Sequence, residues 1–220
     1  MPTATIRKLL SGRRIFSLNE TDGFRARFIF GAFMPKSSLR QTVLARRKAL
    51  PAREAEAAGL LVQQTFTGTR EFAEARAVAL YAPIHNEVET ADVARKALSA
   101  AKIVLFPVVC PAGIEFRRIS DPAALCKGAF GIPEPDANCP VHSPGEADLI
   151  VVPGVVFDVQ GRRIGYGKGY YDRALHLLEG SGRLVGFCYD FQLVEEIPGE
   201  PHDVRMDLII TERRVIRPGD

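Results

Sequence analysis

The segment Ala147-Asp-Leu-Ile-Val-Val-Pro-Gly-Val-Val-Phe-Asp158 continues as Val159-Gln-Gly-Arg-Arg-Ile-Gly-Tyr-Gly-Lys-Gly-Tyr-Tyr-Asp-Arg173. It opens on a short β-branched run that suits a strand covered on both faces. It then passes through Gly165, Gly167 and Gly169, at alternate positions, into a helical pattern that starts near Tyr170. Strand, loop and helix in that order are one half of an α/β unit. Beside Leu149 to Val152, similar apolar runs occur at Val78 to Ala82, Ile103 to Val109, Leu184 to Tyr189 and Leu208 to Thr211. Helical patterns at Thr90 to Ala101 and Tyr170 to Leu178 separate several of them. The predicted fold is therefore α/β, a single compact domain with a largely parallel central sheet flanked by helices. Ile114 to Ile119 adds an edge strand or hairpin.

Upstream, Ser37 or Ser38 is expected to cap a helix that runs through Arg47, with Leu39, Val43 and Leu44 at helical spacing and Pro51 ending it. A second helix is expected from Ala52 to Phe66, on the period of Ala55, Ala58, Leu61 and Val62. Ser120 to Glu146 holds five prolines and no sustained periodicity, so it reads as a long loop covering one face of the domain.

With 220 residues and 46% hydrophobic content, the chain can bury most of its apolar surface in one domain. No run of about 18 apolar residues is present, so no membrane span is expected. Cys110, Cys126, Cys139 and Cys188 are 16, 13 and 49 residues apart, a spacing of neither metal knuckles nor a disulfide framework. Reduced thiols and a cytoplasmic location follow, with Cys110 and Cys188 read as small buried side chains.

The net charge of +3 is unevenly distributed. Residues 1–34 hold six basic groups and two acidic ones, while the remainder holds 23 basic and 24 acidic groups. The basic excess thus belongs to the leader, and the body carries no nucleic-acid footprint. The leader lacks the apolar core and cleavage site of a secretory signal. Translation from Met34 is the expectation, with 1–34 an untranslated or disordered extension, 35–213 the catalytic domain and 214–220 a C-terminal tail.

Alternate glycines let backbone amides approach an anion, and a helix start directs its positive end to the same place. Lys168 at that helix start opposes the macrodipole, a penalty that a bound phosphate reverses. Asp172 in the first turn suits Mg²⁺ bridging phosphate oxygens, or simple pairing with the dipole. By spacing alone a tight turn is nearly as good a reading as a nucleotide loop. The pattern is neither G-x-x-x-x-G-K-[ST] nor G-x-G-x-x-G.

The full run from Val152-Pro-Gly-Val-Val-Phe-Asp158 through Gly161-Arg-Arg-Ile-Gly-Tyr-Gly-Lys-Gly-Tyr-Tyr-Asp-Arg173 resembles the signature of the 5-formyltetrahydrofolate cyclo-ligase family, also called methenyltetrahydrofolate synthetases. Lys36-Ser-Ser-Leu-Arg40, Asn86-Glu-Val-Glu-Thr90, Gly131-Ile-Pro-Glu-Pro135 and Pro201-His-Asp-Val-Arg-Met-Asp207 match in the same order. The resemblance spans residues 36 to about 212 and leaves out the leader. At the position of Tyr166 the family often carries Arg or Met.

The resemblance implies a reaction of 5-formyltetrahydrofolate with ATP and Mg²⁺ that gives 5,10-methenyltetrahydrofolate, ADP and phosphate through a phosphorylated formyl oxygen. It assigns Lys36, Arg40, Arg163, Gly165, Gly167, Lys168, Gly169, Tyr170 and Tyr171 to ATP. Ala82, Glu87, Tyr166, Gly167, Lys168, Gly169 and Tyr170 fall to the folate, Asp172 and Asp203 to the metal, and Lys168 and Glu87 to catalysis. Arg suits phosphate through its planar fork, and a carboxylate at Glu87 pairs with pterin N–H donors. The expected partner is a reduced folate, with or without a polyglutamate tail, bound by a monomer that engages neither nucleic acid nor membrane. A sugar-phosphate or CoA-ester enzyme, and a nucleotide- or RNA-associated module without chemistry, are the rival readings of the same loop.

Overall fold

A computed structural model of the chain describes residues 34–110, 113–128, 131–167, 182–199 and 203–219. Helix α1 spans Lys36–Ala49, α2 Ala52–Thr67, α3 Arg70–Glu74 and α4 Ala91–Ser99. The strands are β1 Ala77–Ala79, β2 Ile103–Cys110, β3 Gly113–Ile119, β4 Leu125–Lys127, β5 Pro133–Pro135, β6 Val141–His142 and β7 Leu149–Val152. They continue as β8 Val156–Asp158, β9 Arg163–Ile164, β10 Arg183–Phe187, β11 Leu193–Val194, β12 Leu208–Ile210 and β13 Val215–Ile216.

Eight strands form one sheet in the order β13-β12-β10-β7-β1-β2-β3-β6. The five from β12 to β2 pair in parallel, and β13, β3 and β6 add antiparallel edges. The α/β prediction therefore holds, including the hairpin at Ile114 to Ile119. Continuous apolar runs are what such a sheet needs, because alternate residues face opposite layers. In β7, Leu149 and Val151 enter the layer under α2, α3 and α4 with Val62, Phe66 and Ala97. Ile150 and Val152 face the other layer with Phe157, Leu184 and Ile209. Phe66 anchors the first layer, its ring edge-on to Phe72 at 5.3 Å and Phe187 at 5.1 Å. Truncating so enclosed a ring to Ala costs about 3–5 kcal/mol.

Several expectations are corrected. The N-cap of α1 is Pro35, with no side-chain cap; Ser37 and Ser38 lie inside the helix, which continues past Arg47 to Ala49. The fixed φ of proline and its missing N–H are compatible with a helix start, although proline offers no side-chain acceptor to the first amides. The segment 120–146 is not a bare loop. It folds β4 against β5 and lends β6 to the main sheet, since proline is tolerated in such short peripheral strands. Val215–Ile216, read as tail, pair with Ile209 and Ile210. Cys188 is buried, whereas Cys110 is only partly so. The helix expected at Tyr170 to Leu178 and the leader 1–33 lie outside the described residues. No described helix is long and apolar enough to cross a membrane.

A second, three-stranded sheet in the order β11-β8-β9 carries the approach to the glycine loop. Leu39 and Val43 of α1 pack on Val155, Val156 and Ile164 of this unit. Asp158, fully buried, ties the β8–β9 turn by accepting from the amides of Gln160 (2.9 Å) and Arg162 (2.8 Å), and from Ile197 N at 2.9 Å. Gly161 completes the turn at φ +89°, a conformation costly for any residue with a Cβ. The acid of the Val-Val-Phe-Asp motif is thus spent on aiming the loop that follows.

Candidate functional site

Two segments leave the carboxyl edge of the main sheet, the loop after β1 and the Pro153–Gly154 turn after β7, and Arg47 joins both to the glycine loop that follows β9 of the second sheet. Open parallel sheets present ligand sites at this edge. Helix α1 runs beside it. At about 100° per residue, Lys36, Arg40 and Arg47 fall within roughly 40° of arc on one stripe of the helix.

Arg40 donates from Nε to the carbonyl of Gly165 at 2.8 Å, pinning the glycine loop to α1. Gly167 adopts φ +91°, and a Cβ there would stand 3.5 Å from the Arg40 guanidinium carbon. A side chain at 167 would therefore strain the backbone, although its Cβ would meet Arg40 only in ordinary contact. Lys36 Nζ lies 3.3 Å from Asp203 Oδ2, so one residue assigned to nucleotide and one assigned to metal share an ion pair, partly open to solvent. Arg163 in β9 donates to the Pro153 carbonyl at 3.2 Å. Lys168, Gly169, Tyr170, Tyr171 and Asp172 lie outside the described residues.

In the loop after β1, His85 and Asn86 take positive φ (49° and 58°) and turn the chain back toward the glycine loop. Glu87 follows, 6% exposed, its Oε2 accepting from Ile84 N at 3.0 Å and its Oε1 from the Tyr166 hydroxyl at 2.9 Å. Ala82 is buried on the same connection. Burial lifts the Glu87 carboxyl to about 7, against the pull of Arg47, the Ile84 amide and Tyr166, which favour the ionised form. Burial, with Glu87 adding to it, also raises the Tyr166 phenol. That hydroxyl therefore stays protonated and acts as a donor.

Arg47 was not singled out from the sequence. It is 1% exposed and donates to the carbonyls of His85 and Gly154, each at 3.1 Å, and to the Tyr166 hydroxyl. A signal for it exists: Leu39, Val43 and Arg47 recur every four residues, so the apolar stripe of α1 ends on an arginine. Gln192 is also buried and grips the same turn, donating to Val155 O at 3.0 Å.

Among the described residues no three His, Cys, Asp or Glu side chains converge as a metal cage. Asp203 offers one carboxylate beside Lys36. That is a workable donor for magnesium, which takes one or two carboxylates and completes its shell with substrate oxygen and water.

The profile of the 5-formyltetrahydrofolate cyclo-ligase family matches residues 33–212. The 5-formyltetrahydrofolate cyclo-ligase of Mycolicibacterium smegmatis is 33% identical over 190 residues, covering 82% of this chain and 95% of the relative. That of Mus musculus is 27% identical over 189 residues, covering 80% and 93%. The solved structure of Aquifex aeolicus 5,10-methenyltetrahydrofolate synthetase superimposes with a TM-score of 0.78 at 38% identity, covering 85% of this chain and 94% of that one. A 5,10-methenyltetrahydrofolate synthetase from Mycoplasma pneumoniae gives 0.65 at 29% identity, over 81% and 99%. With the parallel-sheet fold, these matches show that the chain belongs to the 5-formyltetrahydrofolate cyclo-ligase family and is an enzyme of that kind.

Proposed function

We propose that the chain converts 5-formyltetrahydrofolate and ATP, with Mg²⁺, into 5,10-methenyltetrahydrofolate, ADP and phosphate. The observation that carries this reading is the pairing of two unlike half-sites around one glycine loop. On one side is a buried acid, Glu87, held by Tyr166 and Arg47; on the other is a glycine-loop backbone held by Arg40. The first suits the N–H donors of a pterin and the second suits phosphate.

A formamide oxygen is a poor leaving group. Transfer of the γ-phosphoryl group to it forms an O–P bond and releases ADP. The N10 amine then attacks the formyl carbon and gives up its proton, and the C–O bond breaks with departure of phosphate. The protein supplies position and charge balance for both steps. Lys36, Arg40 and Arg163 take the triphosphate together with the backbone of Gly165, Gly167 and Gly169. Lys168 balances charge on the moving phosphoryl group. Tyr170 and Tyr171 border the nucleotide. Ala82, Glu87 and Tyr166 seat the pterin. Magnesium, held by Asp203 and Asp172, would neutralise phosphate oxygens.

The test is an assay of purified protein with 5-formyltetrahydrofolate, ATP and Mg²⁺, each omitted in turn, following the near-ultraviolet absorbance of the methenyl product and release of phosphate. Product is expected only in the complete mixture. Methenyl product formed without ATP, or phosphate released without folate, would sink the reading.

A further inference from the structure

Arg47 spends its guanidinium on three segments far apart in sequence. Nε reaches the His85 carbonyl in the loop after β1, Nη1 the Gly154 carbonyl after β7, and Nη2 the Tyr166 hydroxyl in the glycine loop. Asn86 answers by donating from Nδ2 to the carbonyl of Arg47 at 3.2 Å. A buried arginine that only neutralised a buried acid would be expected in a bidentate fork with it. Here Nη1 stands 3.9 Å from Glu87 Oε1, and the Tyr166 hydroxyl joins the two groups, accepting from Arg47 and donating to Glu87. Each Glu87 oxygen thus has one of these donors, the Ile84 amide or the Tyr166 hydroxyl, with a further lone pair for a ligand.

We infer that Arg47 is a positioning residue: through the Tyr166 hydroxyl it fixes the Glu87 carboxylate, and so ties the folate-side acid to the helix that carries Lys36 and Arg40. The inference rests on the proposal that Glu87 faces the folate. Lys36 and Arg47 are eleven residues apart, about 16 Å along a helix at 1.5 Å per residue, so one rigid element reaches both half-sites. The same path acts on charge. The groups around Glu87 among the described residues are Arg47 from α1, Tyr166 from the glycine loop, and the Ile84 amide and Glu89 from its own loop, with the His85 ring 6.2 Å from that of Tyr166. Arg47 and Tyr166 favour the ionised carboxylate, so losing either makes Glu87 harder to ionise.

Tyr166→Phe and Arg47→Lys in the full chain test this. Lys is a compact point donor without the planar fork that serves three acceptors. Both variants are expected to raise KM for 5-formyltetrahydrofolate about tenfold while KM for ATP stays within about twofold. In Tyr166→Phe the acid limb of kcat/KM for folate should move to higher pH, a change that mere loss of packing does not cause, whereas Arg47→Lys keeps the positive charge and should move it less. The double variant should be little worse than Arg47→Lys alone, because the two groups act in series. If Arg47→Lys does not fold, Tyr166→Phe, which deletes one hydroxyl, decides. A Tyr166→Phe enzyme with wild-type folate KM and an unmoved acid limb overturns the inference. If Glu87→Gln is inactive beside it, the function proposed for the site still stands. A wild-type protein that makes no methenyl product overturns both.

Discussion

The two edges of the parallel sheet use acidic side chains differently. At the amino edge, Asp148 Oδ2 accepts from the amides of Arg76 (2.7 Å) and Ala77 (2.9 Å), and Asp207 Oδ2 accepts from Leu184 N at 2.7 Å. Glu71 takes Arg217 at 3.0 and 3.3 Å, with Arg183 at 3.6 Å. Glu71, Asp207 and the two arginines border a cavity of about 290 Å³, and these acids are occupied by strand-start amides or by solvent-facing arginines. Arg217 holds the Glu71 carboxyl below its usual value. At the carboxyl edge, burial instead pushes Glu87 up to about 7, although an arginine, an amide and a phenol all serve it. An acid that only held strands together would sit more cheaply in the first arrangement. The second keeps a carboxyl poised between its two protonation states, which suits a binding site and burdens the fold.

The contrast can be broken most decisively at Lys168. On the role proposed for Lys168, Lys168→Ala is expected to lower turnover by about 10²- to 10³-fold, the usual loss when one donor to developing charge is removed. Near wild-type ATP-dependent formation of the methenyl product would end the assignment of this edge. Glu87→Gln sharpens the contrast in stability. Folded Glu87 titrates near 7, against about 4.3 in an unfolded chain, so the fold prefers its neutral form. Its contribution is fully present below about pH 4 and is lost as the pH rises through about 7. Across that window the wild type should lose stability relative to Glu87→Gln by about 3 kcal/mol, read from urea denaturation at pH 4.5 and pH 8. A difference that stays flat with pH would mean that the carboxyl is not held neutral by burial.

How much of this was legible in the sequence depends on what each signal encodes. The parallel strands were readable because a strand buried on both faces needs an unbroken apolar run, as in Leu-Ile-Val-Val of β7. Strand ends were less so. The β1 ladder stops at Ala79, although the apolar run continues to Ala82, because those later residues pack as loop. The strands in 120–146 were missed because two- and three-residue pieces rich in proline have no period to detect. In the site, Glu87 and Arg40 were reached by resemblance. Arg47 reads as surface because it lies within a basic run, although its four-residue spacing from Leu39 and Val43 separates it from Arg46 and Lys48 as the one that turns inward.

At the amino edge the expected effects are smaller and confined to stability. Asp148→Ala leaves the first amides of β1 without their acceptor, which costs about 2 kcal/mol. For a chain of this size that lowers Tm by about 4–8 °C in a calorimetric scan. Both KM values should be unchanged, since Asp148 stands at the far end of the strands. A variant with native Tm but weakened folate binding would erase the distinction between the edges.

Glu71→Gln tests the weakest contact of the comparison. Glu71 is itself well covered, but the side chains of Arg217 and Arg183 are 43% and 65% exposed, so solvent screens most of the attraction. The loss should be no more than about 1 kcal/mol. The sign of its pH dependence is opposite to that of Glu87. A carboxyl held below its unfolded value stabilises the fold above that value and loses the contribution as pH falls through the folded one. The wild-type advantage over Glu71→Gln should therefore be present at pH 7, shrink toward acid, and fade in high salt. The gap between wild type and Glu87→Gln should instead open as pH rises. If both substitutions gave pH profiles of the same sign, burial would not be what separates the acids of the two edges.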